Sequence, residues 1–430
     1  MANKITVALA GLGSRGKDTY AKAAKIHPDK IEIVAIADVN PKKVEMVAEE
    51  YHIPKERCYT SAEEMLKEEK LADVMFITTQ DRQHVAQAIP ALKKGYHLLL
   101  EKPISPDLDE CREIVKVAKE CDRKVVVCHV LRYTPVFRKV KEILDSGVIG
   151  DIVSINASEN VGWFHMAHSF VRGNWRNKEL SSPMILQKCC HDMDLYLWLA
   201  DKKCKSLSSF GSTYLFKEEN APEGCTKRCL DGCKVKATCP YDAESIYLDS
   251  ERIGARNGNT RWPLDVVTEI PTPESVEEAL KTGPYGRCVY HCDNDVVDHE
   301  VVDMEFENGA TAVFTMTAFT KNTRRTIRVM GTLGELEGDS VKGTIEVKPF
   351  NSDEVETIDV SKQLVGHVGH AGGDTRLVDN IIDILRKDDL EHNLTSIDAS
   401  VHSHVMALAA EESRVNHGKS ISIREFESKF

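Results

Sequence analysis

No stretch of this 430-residue chain holds the ~18 unbroken apolar residues of a membrane-spanning helix, so no spanning segment is expected. There is also no block of basic residues. Acidic and basic side chains are interspersed around a formal net charge of −12, which argues against sequence-independent binding to nucleic-acid phosphates or membranes. A small-molecule ligand suits this balance better. The opening MANKITVALAGLG lacks the charged region, long apolar run and cleavage site of a secretory signal, and a cytoplasmic location is expected. Cysteine is not scarce, but its number, 13, is odd, and Cys58, Cys111, Cys121 and Cys128 fall in apolar patterns where a thiol packs as a small hydrophobe. A disulfide framework is not expected in such a chain.

The length itself calls for two domains. From Lys4, KITVALAGLGSRGKDTYAKAAKI reads strand, glycine turn, helix. A second apolar run ends in Asp38, and Asn40 then caps a helix that opens with Pro41. ADVMFITT, YHLLLE and KVVVCHV follow as continuous apolar strands between helical patterns, which predicts a parallel, doubly wound α/β sheet over residues 1–130. Gly11-x-Gly13-x-x-Gly16 sits between the first strand and the first helix, where glycines let the backbone, with Ser14 and Arg15, approach a pyrophosphate. Asp38 is placed to accept hydrogen bonds from ribose hydroxyls and to repel a 2′-phosphate, favouring NAD over NADP, although Lys42 and Lys43 lie close enough to soften that preference. Two further strands end in Thr78-Thr79-Gln80, with a loop to His84, and in Glu101-Lys102-Pro103. Both loops should face the nicotinamide end of a cofactor beyond the carboxyl edge of the sheet. Taken alone, the Glu-Lys-Pro tripeptide is better read as a strand end with a solvated Glu-Lys pair.

The glycine turn, Asp38, the QDRQH loop and above all EKPIS resemble the Gfo/Idh/MocA family of sugar and inositol oxidoreductases. The resemblance covers the nucleotide domain closely and the remainder more loosely. It implies that Lys102 is an active-site residue touching nicotinamide and substrate hydroxyl.

Beyond residue 130, the runs GVIGDIVSINASENVG, DVVDHEVVDMEFENGATAVFTMTAF, RTIRVMGTLGELEGD and GTIEVKPF alternate with period two between Asn-Gly and Gly-Asp turns. They predict an α+β domain over 131–430 with a large open antiparallel sheet. The resemblance implies that the open face forms substrate pockets and the contacts of a homo-oligomer, a dimer or tetramer. Before most of that sheet comes PMILQKCCHDMDLYLWLA, read as one helix with Lys188, His191, Leu195 and Trp198 on one face and Cys189 and Cys190 off it. One histidine on that face is too few ligands for zinc. The resemblance assigns His191 to the substrate hydroxyl, with Asp192 following it. Many members place an aspartate four positions before this histidine, where this chain has Gln187, so Lys188 is expected as a second cation beside Lys102. Oxidising a secondary alcohol needs a base within reach of the hydroxyl, and His191 or a desolvated lysine can serve. Upstream, Trp163, His165, His168, Arg172, Trp175 and Arg176 form a dense aromatic and polar segment suited to a carbohydrate, with a loop on core tryptophans as the alternative. Arg132 and Tyr133 are expected at the domain junction, lining the same cleft.

A cysteine-rich insertion spans about 217–292, with Cys225, Cys229, Cys233 and Cys239 at spacings x3, x3 and x5 and Cys288 and Cys292 following. Cys229, Cys233, Cys239 and one of Cys225 or Cys288 are candidates for a structural zinc site; unliganded thiols are the alternative. The expected activity is NAD-dependent hydride transfer at a secondary hydroxyl of a sugar, glycoside (a 3-keto glycoside being one product) or cyclitol. The rivals are a glycoside-cleaving enzyme working by oxidation, elimination and re-reduction, and a dinucleotide-sensing regulator, against which Lys102 and His191 speak.

Overall fold

Six short apolar strands, β1 Ile5–Ala10, β2 Ile31–Ala37, β3 Cys58–Tyr59, β4 Val74–Ile77, β5 His97–Leu100 and β6 Val125–Val127, pair entirely in parallel in the order β3-β2-β1-β4-β5-β6. The computed structural model describes residues 4–364, 370–387 and 393–430. Alternation along β1 divides the nucleotide domain into two apolar layers. Val7 and Leu9 face one side together with Val47 of α1 (Pro41–Tyr51), whereas Ala8 and Ala10 face the other, under α2 (His84–Lys93) and α3 (Leu108–Glu120). The start of α1 follows the sequence signal, with the Asn40 side chain accepting from the Lys42 amide and Pro41 in the first turn.

The chain leaves this domain through α4 (Pro135–Asp145) and builds a nine-stranded sheet from β7 Ile152–Asn160, β8 Cys204–Ser212, β9 His299–Phe306, β10 Thr311–Thr317, β11 Arg324–Gly331, β12 Gly334–Asp339, β13 Thr344–Pro349, β14 Glu356–Asp359 and β15 Ile421–Ser422. Their order is β14-β13-β12-β11-β7-β10-β9-β8-β15. The sheet is mixed rather than wholly antiparallel. β7, made before the helices and the insertion, enters the middle of the sheet and runs parallel to β10 while pairing antiparallel with β11. The predicted alternation is visible in β9, where Glu300, Val302, Met304 and Phe306 are buried and Val301 and Asp303 are exposed.

Two helical pieces, α5 (Met184–Gln187) and α6 (Cys190–Ala200), replace the single helix expected over this region. The insertion leaves between β8 and β9 and carries α7 (Pro273–Thr282), capped reciprocally by Thr272 and Ser275. It has its own small apolar cluster of Ala243, Ile246, Tyr247, Leu248, Leu264, Val276 and Leu280, into which Phe164 of the main domain is plugged. Late in the chain, α8 (Gly373–Lys387) returns to the nucleotide domain, where Leu377, Val378, Ile381 and Ile382 complete the layer that Val7 and Leu9 begin. α9 (Ile397–Val415) then packs across β8 and α6. No helix among the described residues is long and apolar enough to cross a membrane.

A buried carboxyl gives the fold a pH dependence. Glu300 on β9 is 1% exposed; its Oε1 accepts from the Ser209 hydroxyl at 2.8 Å, and burial raises its pKa from 4.5 to about 8. The folded state therefore keeps a proton that the unfolded chain releases, so this contribution to stability is lost as pH rises from 4.5 to about 8. The slope is at most ~1.4 kcal/mol per pH unit. Glu300→Gln should flatten this slope and raise stability at pH 8 and above, as measured by urea unfolding at several pH values. Identical slopes in both proteins would contradict it.

Candidate active site

The glycine turn follows β1 directly. Gly11 has φ +90°, and a Cβ there would meet the Thr78 carbonyl oxygen at 2.6 Å. A Cβ at Gly16 would lie 1.9 Å from the Gly11 oxygen, so the turn closes on itself and on β4. At Gly13 an added Cβ would meet nothing within 4 Å. This is the open side on which a pyrophosphate fits, beside Ser14. Thr78 secures the turn, its hydroxyl lying 2.9 and 2.7 Å from the Ala10 and Gly11 carbonyls. Asp38 accepts from the Leu12 amide at 2.5 Å and the Asn40 amide at 2.8 Å, one oxygen each, which leaves a lone pair on both oxygens for ribose hydroxyls. These residues fit a dinucleotide.

Other residues expected at the cofactor act as struts. Arg15 is not turned to the open side of the turn: its Nε reaches Glu101 Oε1 at 2.6 Å and its Nη2 reaches Asp374 of α8 at 2.5 Å. Glu101 is buried, also accepts from the Tyr20 hydroxyl at 2.8 Å, and takes the Lys102 amide on Oε2 at 2.9 Å. Thr79 donates to Gln87 at 2.7 Å, while Gln80 stands exposed. His84 is buried with Nδ1 2.7 Å from the Pro103 carbonyl and Nε2 3.2 Å from that of Thr79, bridging the two loops beyond β4 and β5. The result is a rigid seat for Lys102.

Lys102 Nζ donates to the Gln187 carbonyl at 2.9 Å. That carbonyl is available because the helix breaks at Lys188 and Cys189, leaving the last carbonyls of α5 without helical partners. The break replaces the single helical face expected for Lys188 and His191, yet both still arrive beside Lys102. Burial holds the His191 imidazole well below the usual histidine range, and Lys102, His129 and His370 push it further down. Its Nδ1 is buried without a hydrogen-bond partner. Burial also lowers Lys188, opposed by Glu159 and assisted by Arg325 and Lys102. Lys188 Nζ lies 3.6 Å from Glu159 Oε1, and Arg325 Nη2 lies 2.6 Å from Glu159 Oε2 as an ion pair out of hydrogen-bond alignment. Arg325 is in turn forked onto Asp192 at 2.7 and 3.0 Å. Asp192 is thus anchored to the sheet by Arg325.

The expected substrate wall is largely internal. Arg132 is forked onto Asp194 at 2.7 and 2.6 Å and donates to the Leu394 carbonyl, and the Tyr133 hydroxyl bonds Asn380 and Thr395. His168 is buried, stacked on Tyr285 at 4.7 Å with Nδ1 2.9 Å from the Tyr247 hydroxyl. Arg172 is fully buried against the insertion, Trp175 packs on Phe170, and Trp163 packs against Tyr241. Arg176 is paired with Asp293. The cause is local: Met166–Arg172 winds as a turn of π-helix, whose spacing sends His168 and Arg172 inward to the insertion. His165 alone of the group joins the site, lowered by burial and then by Lys188, His168, His370 and Lys102. Its ring is 5.3 Å from Trp262, a partly exposed residue of the insertion.

Three residues were missed by sequence reasoning. His129 lies at the end of β6 with its ring 5.8 Å from His191 and both nitrogens buried without partners. His370, before α8, is 5.9 Å from His191 and bonds Asp374 at 3.0 Å. Trp262 is the third. A histidine directly following the last apolar strand was a usable signal for His129; nothing local marks the other two.

The comparisons with known proteins bear on this arrangement. Residues 5–129 match the Gfo/Idh/MocA oxidoreductase family, NAD-binding Rossmann fold, and residues 137–229 match the family's C-terminal domain. The chain belongs to the Gfo/Idh/MocA oxidoreductase family. YteT of Bacillus subtilis, named as an oxidoreductase, is 23% identical over 355 residues, 79% of each chain. An inositol 2-dehydrogenase of Corynebacterium glutamicum is 23% identical over 48% of this chain and 57% of its own. A 2,7-anhydro-N-acetylneuraminate hydratase of Escherichia coli is 27% identical over 31% of this chain and 35% of its own. The fold is shared with the WlbA dehydrogenase of Bordetella pertussis, solved with NADH and UDP-GlcNAcA, at a TM-score of 0.68 and 18% identity over 98% of both chains. As a Gfo/Idh/MocA member this chain is an oxidoreductase with an NAD-binding Rossmann domain.

A neutral His191 has a kinetic signature. The pH profile of alcohol oxidation should show no limb at the ordinary histidine value of ~6.5. His191→Asn should lower kcat by roughly 10²–10⁴ across the range. A limb near that value that vanishes in the variant would show that His191 titrates normally.

Proposed function

We propose that this oxidoreductase acts on CH–OH groups, exchanging hydride between NAD and a secondary hydroxyl of a sugar, glycoside or cyclitol. The observation that carries the reading is the meeting of Lys102 with a buried imidazole whose Nδ1 has no partner, at the carboxyl edge of the parallel sheet. The Gly11–Gly16 turn and Asp38 hold the dinucleotide, which when bound supplies the nicotinamide carbon that exchanges hydride. Lys102 orients the substrate hydroxyl. His191 accepts its proton at Nδ1 and returns it in the reverse direction. Lys188 meets the developing alkoxide, held in place by Glu159, which Arg325 and Asp192 anchor in turn. Glu159 takes the place of the carboxylate missing at Gln187, acting from β7 through Lys188. Trp262 and His165 offer flat surfaces to an apolar sugar-ring face.

NAD is preferred over NADP on two grounds. Asp38 repels a 2′-phosphate, and Glu269 of the insertion reaches Asn40 and lies 3.5 Å from Lys42, so one of the cations that would welcome that phosphate is already paired. A second reading, in which hydride returns to the same substrate after elimination, is favoured by the hydratase among the relatives, whose name describes a reaction without net oxidation. Self-association is proposed for the open sheet face, where Val153, Phe210, Val301 and Val313 are exposed. A monomer mass by light scattering would remove it.

The deciding experiment incubates the protein with NAD or NADP and a panel of glycosides and inositols, following reduced cofactor and released aglycone together. NADH formation, weaker with NADP and reduced roughly 10²–10⁴-fold in Lys102→Ala while NAD still binds, is the expected result. Aglycone release without net NADH selects the second reading. No turnover of any polyol by protein that binds NAD overturns both.

A further inference from the structure

Five thiols of the insertion, Cys225, Cys229, Cys233, Cys239 and Cys288, line one small cavity together with Arg172. The ligand atoms of Cys225 and Cys288 and of His291, which lines a second cavity sharing Tyr290 with the first, all lie within 4.8 Å of one another, and Cys225 Sγ is 3.5 Å from His291 Nε2. A tetrahedral zinc with bonds of ~2.3 Å to sulfur sets its ligand atoms roughly 3.5–4 Å apart, so the three are already near a coordination sphere. His291 is also oriented as a ligand would be, its Nδ1 lying 3.5 Å from the Glu218 carboxylate so that Nε2 faces the sulfur. The thiols are free, with no disulfide among the described residues.

An independent observation is the charge on Arg172. Its side chain is fully buried, and it donates to the carbonyls of Arg287 at 2.7 Å and Tyr241 at 2.6 Å and to Cys229 Sγ at 3.6 Å. Nη1 has no partner, and no carboxylate pairs with this guanidinium among the described residues. Asp242, also on the cavity wall, is turned to the amide and hydroxyl of Ser245, both at 2.8 Å. A buried cation without a counter-charge is costly, and neutral thiols do not relieve that cost.

We propose a structural zinc site at the edge of this cavity, in which Cys225, Cys288 and His291 are three ligands and one of Cys229, Cys233 or Cys239 is the fourth. On binding, each of three thiols releases its proton to solvent as its sulfur bonds to Zn²⁺, and His291 bonds through neutral Nε2; nothing is oxidised or reduced. Three thiolates and an imidazole around Zn²⁺ leave one negative charge, which Arg172 balances. The set differs from the one spacing suggested, because it takes in His291 and joins the two ends of the insertion. Between those ends lie Trp262, beside His165, and Glu269, beside Asn40. The metal would thus hold in place the segment that reaches both the substrate and the ribose side of the site.

The test is elemental analysis of the full chain purified under reducing conditions with zinc supplied, alongside native-state thiol alkylation with and without a chelator. Expected are about one zinc per chain, protection of the cavity thiols until the metal is stripped, loss of zinc in Cys225→Ser and Cys288→Ser, and retention in Cys58→Ser. The same readout on Cys229→Ser, Cys233→Ser and Cys239→Ser identifies the fourth ligand. Metal-free protein with every cavity thiol alkylatable overturns the proposal, as does a Cys225–Cys288 disulfide by mass spectrometry. Bound iron and sulfide with visible cluster absorption overturns zinc as the occupant. Wild-type alkylation decides the matter even if the serine variants fail to fold, and no arm reads NADH or turnover.

Discussion

The hydrogen bond from Lys102 Nζ to the Gln187 carbonyl is the constraint around which the site is arranged. It requires an ammonium at the edge of the parallel sheet and a main-chain carbonyl that no helix uses. The first is secured by the Arg15–Glu101 ion pair and the His84 bridge, and the second by the break between α5 and α6. Arg15 also grips Asp374, so α8 is tied to the glycine turn and to His370 by the same carboxylate. These bonds join the two domains beside one lysine, in addition to the apolar layer that α8 completes.

Around it the buried charges are balanced across elements far apart in sequence. Lys188 and Asp192 come from the broken helix, Glu159 from β7 and Arg325 from β11. Removing one partner would strand the others in a medium where unpaired charge is expensive. The arrangement explains how a chain with Gln187 in place of a carboxylate still has one near its second lysine. It also adds to the burial that holds His191 below the usual histidine range, since a proton on the imidazole would face Lys102 and Arg325.

The nucleotide domain was legible because its signals are local. A glycine turn after an apolar strand, a carboxylate after the next, and Asn40-Pro41 at a helix start each depend on neighbours within a few residues. Lys102 and His191 were legible as residues, through resemblance as much as chemistry. Of the expected substrate wall, His168 and Arg172 face inward, because polar and aromatic density does not reveal direction and a π-helical turn points them into the insertion. The parallel pairing of β7 with β10 was likewise hidden, since strand alternation is the same in either orientation.

By itself the sequence determined a parallel dinucleotide-binding sheet, a second sheet with one packed face, and the lysine and histidine proposed for the chemistry. Periodicity and turn residues act over short range, and these features need nothing more. Tertiary structure alone decided which groups surround Lys102 and His191. Glu159, Arg325, His129, His370 and Trp262 reach the site from five separated segments, and the two ends of the insertion bring Cys225, Cys288 and His291 together. Such contacts are set by how apolar layers stack and how buried charges find partners, which no single segment encodes.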